Sequence, residues 1–228
     1  MSLDQRGTRP PVKSLALPGV YAPQEDTELL AAALADEPVP PGADVLDVGT
    51  GSGALALAAA RRGARVTAVD VSRRAVCTAR LNARRAGLSV QVVRGNLFDP
   101  VRGRTFDLVL TNPPYVPAPA GHRPPRGAAR AWDAGGDGRL VLDRVCHEAP
   151  GLLRPGGVLL LVQSALSDPE LTVDCLRTAG LKSAVTQRRR IAFGPVLRTR
   201  EKWLRERGLL SPADNEEELV VVRAELPV

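Results

Sequence analysis

The sequence predicts an α/β domain built on a doubly wound, mostly parallel sheet. Short apolar runs alternate with helical segments in a strict β, α, β, α order from residue 44 onward, which favours parallel strands joined by crossover helices. A glycine-rich turn follows the first apolar run at once, as in open sheets that bind ligands at their carboxyl edge. The last two runs, 182–187 and 218–224, have no crossover helix close to both, so they form an antiparallel pair at one edge.

Each element has a local reason. Residues 1–20 hold Arg6, Arg9, Pro10, Pro11 and Pro18 without sustained periodicity and read as an irregular lead-in to a domain over 21–228. Between 25 and 35, Leu29, Leu30, Ala33 and Leu34 recur at helical spacing, and Pro38, Pro40 and Pro41 end that helix. Residues 44–48 are a short apolar strand, 54–62 an Ala-rich helix and 65–69 a second strand. Ser72 is suited to cap a helix reaching 86, with Gly87 placed to end it. Strands follow at 90–93 and 106–110. A helix near 140–152 stops at Pro155-Gly156-Gly157, a strand takes 158–162, and 168–179 is helical with Gly180 behind it.

Composition excludes several classes. With 228 residues, 44% of them hydrophobic, and a net charge of +6, the chain holds enough apolar surface for one sizeable core and is not a disordered polymer. The apolar stretch 29–35 falls far short of the roughly 20 residues that cross a bilayer. No charged start followed by an apolar run marks a leader, so the expected location is cytoplasmic. Cys77, Cys146 and Cys175 are odd in number and widely spaced, and neither His122 nor His147 stands at ligand spacing to them. No disulfide scaffold and no metal site is expected. Cys77 and Cys175 occupy apolar helical positions and are expected in the core, while Cys146 and His147 are adjacent and do not share a helix face. The pI of about 9.9 hints at nucleic acid, but the only lysines are Lys13, Lys182 and Lys202. An arginine bias of that kind decides little by itself.

Four loops at the predicted carboxyl edge carry the chemistry. Val45-Leu46-Asp47-Val48-Gly49-Thr50-Gly51-Ser52-Gly53 runs from strand to helix, and its glycines let a ligand approach the backbone without a Cβ in the way. A tight structural turn would use the same residues, and the loop also loosely fits a dinucleotide fingerprint. Asp70 ends the second strand, where a carboxylate accepts from both ribose hydroxyls; the alternative, a helix N-terminal signal, is already filled by Ser72. Asn96 and Leu97 follow the third strand and suit an adenine edge, through the Asn96 side chain and the Leu97 peptide N–H, although an Asx-turn uses the same pattern.

The most discriminating segment is Thr111-Asn112-Pro113-Pro114-Tyr115, directly after the fourth strand. Two prolines remove backbone donors and stiffen the chain, leaving the Asn112 side-chain oxygen and the Pro113 carbonyl as fixed acceptors. An NH2 group donating to both would have its lone pair aimed at an electrophile, which matters for a delocalised, weakly nucleophilic nitrogen. Tyr115 is expected to stack on the planar group.

These segments resemble the motifs of HemK-type class I methyltransferases, the release factor protein-glutamine N5-methyltransferases. Val20-Tyr21 and Glu25-Asp26-Thr27 resemble the start of that family's short branch, which lacks the N-terminal helical domain. Ala131-Trp132-Asp133-Ala134-Gly135-Gly136-Asp137-Gly138-Arg139 resembles its Gly-Gly-x-x-Gly segment. The resemblance covers about residues 20–165. It implies a Rossmann-like, seven-stranded methyltransferase sheet, S-adenosyl-L-methionine as cofactor with S-adenosyl-L-homocysteine as product, and a glutamine amide as acceptor. It also implies cofactor contacts from Tyr21, Thr27, Asp47, Gly49, Gly51, Gly53, Asp70, Asn96, Leu97 and Asn112. Asn112, Pro113 and Tyr115 would be catalytic, and Asn112, Pro113, Pro114 and Tyr115 would meet the substrate; Trp132, the aromatic of the long loop, either joins them at the substrate or pins that loop onto the core. Some short-branch relatives work with a small activator protein. The same acceptor geometry suits an adenine amino group of DNA or RNA, or a small-molecule nitrogen. A non-catalytic cofactor-binding module has no need of the acceptor pair at Asn112 and Pro113.

Three further segments bear on partners. The loop 116–138 is long and rich in Pro, Gly and Arg, and Arg123, Arg126 and Arg130 either face an acidic partner or are solvated. Arg188-Arg189-Arg190, with Arg198, Arg200, Lys202, Arg205 and Arg207, is the best basic patch, for RNA or for plain solvation. Glu216-Glu217-Glu218 reads as an exposed acidic turn.

Overall fold

A computed structural model of the chain describes residues 15–119 and 131–228. Seven strands form one sheet: β1 (Asp44–Val48), β2 (Arg65–Asp70), β3 (Val90–Arg94), β4 (Phe106–Thr111), β5 (Leu153–Ser164), β6 (Lys182–Ala192) and β7 (Glu216–Glu225). Their spatial order is β3-β2-β1-β4-β5-β7-β6. The first five strands pair in parallel, and β7 lies antiparallel between β5 and β6. The helices are α1 (Glu25–Asp36), α2 (Ala54–Arg61), α3 (Arg73–Ala86), α4 (Leu142–Glu148), α5 (Pro169–Thr178) and α6 (Pro195–Glu206).

The central strands are buried residue after residue, as in Val45-Leu46 and Leu159-Leu160-Leu161-Val162, because helices cover both faces of the sheet. Helix α1 lies beside α2 and packs across β5, β6 and β7, while α4 lies beside α5. Cap signals act as expected at α3, where the Ser72 hydroxyl accepts from the Ala75 N–H and Gly87 ends the helix with φ +64°. The chain builds β1, β2 and β3 toward one edge and then returns to place β4 beside β1. This reversal puts the loops after β1 and β4 at a switch point, next to one another.

Several local expectations are corrected. Pro155-Gly156-Gly157 does not separate helix from strand but lies inside β5 as an irregularity. Pairing with β4 jumps from Phe106↔Leu153 to Leu108↔Val158, and the excursion is pinned to the C-terminus by Gly156 N–H to Leu226 O and Leu226 N–H to Gly157 O. The preceding helix is correspondingly short, and its last residues tighten into a 3₁₀ turn over Ala149–Leu152. Helix α6, not among the helices predicted from the sequence, connects β6 to β7. Its arginines mask an apolar contact that needs only Leu197 and Leu204 buried, with Val196 and Trp203 packed beside them. Glu216-Glu217-Glu218 is not a turn but the start of β7, where strand alternation turns Glu217 inward. Cys77 is exposed and Cys175 half-buried, whereas Cys146 is in the core. Burial pushes the Cys146 thiol up to about 12, so it is no nucleophile.

No helix among the described residues is long and apolar enough to cross a membrane.

Candidate active site

A cavity of about 750 Å³ opens at the carboxyl edge of the sheet, over the switch point between β1 and β4. Its floor is the glycine loop. Gly49 and Thr50 both donate backbone N–H bonds to Val69 O, at 2.9 and 3.0 Å, which bends the chain across the end of β2. Gly49 and Gly51 face the cavity with φ of +72° and +55°, a region where a Cβ is strained.

The carboxylates of the loop divide their work. Asp70 stands on the cavity wall, with Oδ2 accepting from Gly51 N–H at 2.9 Å and Oδ1 from Ser72 N–H at 2.8 Å. Each oxygen keeps a lone pair for a ligand. Asp47, expected to touch the cofactor, is instead 1% exposed and does not reach the cavity. Its Oδ2 accepts from the Thr50 hydroxyl at 2.6 Å and the Ala56 N–H at 3.0 Å, stapling the loop to the first turn of α2. Burial pushes its carboxyl up to about 6. Gly53 is likewise turned away from the cavity, onto α3, where a Cβ would come within 3.1 Å of the Ala79 Cβ.

Asn96 and Leu97 line the cavity beyond Asp70, and Leu97 holds a left-handed φ of +48°. Arg144 and Leu140, neither anticipated from sequence, line it beside them. Arg144 donates to Glu148 at 2.9 Å and approaches Asn96 Oδ1 at 3.5 Å. No local signal marks Leu140 and Arg144, since Leu140 and Val141 precede α4 and a lone arginine in a helix does not show which way it faces.

The segment after β4 splits its residues between surface and core. Asn112 and Pro114 face the cavity, while Pro113 and Tyr115 are buried. The Thr111 hydroxyl donates to Val48 O at 3.0 Å and so ties the ends of β4 and β1 together immediately before Asn112. Tyr115 does not present its ring for stacking. Its hydroxyl donates to Asp26 Oδ2 at 3.1 Å, and its carbonyl accepts from the Ser167 hydroxyl at 2.5 Å. Held at both ends, it braces the Asn112 backbone. Trp132 is also no cavity residue: it is half-buried against the core, and its carbonyl accepts from Val116 N–H at 2.8 Å. Its neighbours Ala131 and Asp133 line the cavity in its place.

Asp26 is the unanticipated centre of this end. Beyond Tyr115, its Oδ2 accepts from the Tyr21 hydroxyl at 2.7 Å, and its Oδ1 accepts from Thr27 N–H at 2.5 Å and the Thr27 hydroxyl at 3.2 Å. Tyr21 and Thr27 thereby take up fixed places on the cavity wall. Burial and the neighbouring Asp26 charge push both tyrosine hydroxyls well above their ordinary value.

Glu217 lies behind this cluster, 7% exposed, with Oε1 lacking a partner among the described residues. Burial first, then the Asp26 charge, pushes its carboxyl from the usual 4.5 to about 7, against a lowering contact from Ser164. The folded chain therefore holds this proton more tightly than the unfolded one. The resulting stability is present below about pH 4.5 and is lost as pH rises through about 7. Asp47 adds the same sign up to about 6. Asp44 is held below the usual carboxylate range by Arg65 and Arg154, so its opposite effect belongs to lower pH. Unfolding free energy from denaturant titrations is expected to fall between pH 4.5 and 7, with Glu217→Gln removing on the order of 2 kcal/mol of that fall. An unchanged slope in the variant would count against a buried proton on Glu217.

Part of the basic segment is taken up by pairing. Arg188 meets Glu218 at 2.7 Å, Arg205 meets Glu201 at 2.8 Å, Lys202 lies 3.9 Å from Glu206, and Arg200 pairs with Asp133 and Pro117 O. Arg123, Arg126, Arg130 and His122 lie outside the described residues.

Comparison with known proteins accords with this geometry. The family model of the methyltransferase small domain matches residues 12–179. A protein of Methanocaldococcus jannaschii, provisionally named a protein N5-glutamine methyltransferase, is 36% identical over 177 residues, covering 77% of this chain and 88% of that one. The release factor glutamine methyltransferase of Deinococcus radiodurans is 41% identical over 169 residues, covering 72% of this chain and 57% of that one. The corresponding enzyme of Gloeobacter violaceus is 43% identical over 141 residues, and the chain spans only 48% of its length. Among solved structures, the E. cuniculi Mtq2–Trm112 complex, described as responsible for methylating the termination factor eRF1, superposes with a TM-score of 0.65. That match has 24% identity and covers 91% of this chain and 99% of the matched one, a likeness of fold.

Proposed function

Since the chain belongs to the methyltransferase small domain family, we propose that it methylates the side-chain amide of a glutamine in a peptide-chain release factor, using S-adenosyl-L-methionine. One observation carries this reading: Asn112, the two cavity-facing glycines and Asp70 converge on a single cavity at the switch point. The residues present fit the cofactor. The volume is of the size that holds a nucleoside with an amino-acid tail, and the glycines keep the floor free of side chains. An acidic group stands ready for ribose hydroxyls at Asp70.

When bound, S-adenosylmethionine supplies an electrophilic methyl group on a positively charged sulfur. The chain's own residues bind and orient. Asp70 would accept from the ribose, Asn96 and the Leu97 N–H would meet the adenine edge, and Gly49, Gly51, Tyr21 and Thr27 would enclose the amino-acid end. The Asn112 side-chain oxygen, on the cavity wall, accepts one N–H bond of the acceptor amide, and the backbone carbonyl of Pro113, a residue otherwise buried and not part of the cavity lining, accepts the other. That pairing pulls the nitrogen lone pair out of conjugation and aims it along the line of displacement. Pro114 supplies the wall against which the planar amide lies, and Tyr115 acts by position, keeping the Asn112 backbone in place from below. No side chain is required as a base, because the nitrogen proton becomes strongly acidic as the fourth bond to nitrogen forms and leaves to solvent.

The direct test is incubation with labelled S-adenosylmethionine and, in parallel, purified release factor, total RNA and DNA. Label is expected in a release-factor glutamine. Label only in nucleic acid would reject this acceptor. Because the E. cuniculi protein is described in complex with Trm112, the assay is run with and without a Trm112 homologue. For the cofactor half, Asp70→Ala is expected to weaken S-adenosylmethionine binding about 10- to 100-fold by calorimetry, the worth of hydrogen bonds to a charged group. Unchanged affinity would remove the ribose from Asp70.

A further inference from the structure

Helix α6 docks through Leu197 and Leu204, which are 3% and 0% exposed, yet Arg200 stands between them on the same face. A guanidinium on the inward side of a helix is costly unless its donors are satisfied. Arg200 meets that demand with two partners from two different stretches of chain. Nη1 donates to Pro117 O at 2.9 Å, and Nη2 pairs with the Asp133 carboxylate, with the two charged side chains 17% and 13% exposed.

Pro117 and Asp133 belong to two arms of the cavity rim, one leaving Tyr115 and the other leading back toward α4. The arms are joined by Val116 N–H to Trp132 O at 2.8 Å, Ala134 N–H to Val116 O at 3.1 Å and Ala118 N–H to Gly135 O at 2.8 Å. Pro117 and Pro119 have no N–H to add, so the first arm depends on a side-chain donor for further anchoring. Asp133 and Ala131 face the cavity, which makes the second arm part of its wall.

We propose that Arg200 is a positioning residue for the methyl acceptor: it ties both rim arms to α6 and so holds the wall against which the acceptor enters. This rests on the methyl-transfer reading above. The planar fork of arginine reaches both partners at once, whereas lysine at the same position satisfies one.

The full-length chain carries the test as Arg200→Ala, Arg200→Lys and Asp133→Asn. Amide hydrogen exchange at Val116, Ala118 and Ala134 reads the clamp without any acceptor. Calorimetry reads S-adenosylmethionine affinity, and kinetics use whichever of release factor, RNA or DNA the unsubstituted chain labels. In Arg200→Ala, exchange at those amides is expected to quicken at least about tenfold. The acceptor KM should rise about tenfold, with kcat and cofactor affinity within about threefold. Arg200→Lys should recover part of the KM, and adding Asp133→Asn to Arg200→Ala should raise it no further, since Arg200→Ala already removes the pairing with Asp133. Unchanged exchange overturns the clamp, and faster exchange with unchanged KM overturns its service to the acceptor. Parallel losses of kcat and cofactor affinity mean general loosening and overturn it too. Should Arg200→Ala melt, Asp133→Asn, which preserves side-chain volume, carries the same readouts to the same decision. An unsubstituted chain that labels none of the three acceptors defeats the methyl-transfer reading and the acceptor role together, while the exchange result still decides the clamp.

Discussion

In Asn112→Ala, methyl transfer is expected to fall about 10³-fold, the loss typical of deleting one preorganised polar group at a reacting centre. Cofactor affinity should change by no more than about threefold, because the residues proposed to hold the nucleoside, Asp70, Asn96 and Leu97, lie elsewhere on the cavity wall. Asn112→Asp keeps an acceptor oxygen in the same place and should retain more activity than the alanine variant. Single-turnover rates at saturating cofactor, alongside calorimetric titration, separate the two effects. Undiminished turnover in Asn112→Ala would sink the acceptor-pair mechanism. Equal loss of binding and rate would move Asn112 from chemistry to cofactor contact alone.

A large loss of stability is expected at Gly138. Its φ is +76°, and a Cβ there would stand 2.4 Å from Tyr115 O and 2.5 Å from the Ser167 hydroxyl oxygen. Left-handed backbone costs alanine about 1–2 kcal/mol. The clash adds more, because its nearest partner is a backbone carbonyl already engaged by Ser167 and cannot swing aside. Gly138→Ala is expected to cost about 4 kcal/mol or more in denaturant unfolding. Gly87→Ala supplies the control, since Gly87 has φ +64° but nothing within 4 Å of its would-be Cβ. If the two variants lose equal stability, close packing against Tyr115 has no energetic weight. A folded Gly138→Ala chain should also lose turnover, because the displaced carbonyl sits three residues beyond Asn112.

Most of the sheet and the placement of the ligand loops were legible because their signals are local. The runs that became β1 and β4 are short, continuous and apolar, and glycine and proline announce their turns within a few residues. Arg144 went unread because a lone arginine in a helix carries no local mark of facing a cavity. The placement of Tyr115 is not legible because nothing near it in sequence shows that Asp26, 89 residues earlier, receives its hydroxyl. The placement of Asp47 is not legible because strand alternation gives the period of its side chain but not which side the cavity takes. Helix α6 was missed because its stability comes from docking two leucines, a term that local propensity does not contain.

By itself, then, the sequence determined the order of strands and helices apart from α6, the glycine and Asn-Pro-Pro-Tyr loops at strand ends, and the family to which those loops point. These follow from turn chemistry and hydrophobic period, which act over a few residues. Only the tertiary structure decided which polar groups face the cavity and which brace it from below, with Asp70 and Asn112 on the wall and Asp47, Asp26 and Tyr115 behind it. The reason is physical: a buried polar side chain is placed by the partner that satisfies it, and for Tyr115, as for Arg200, that partner comes from a distant part of the chain.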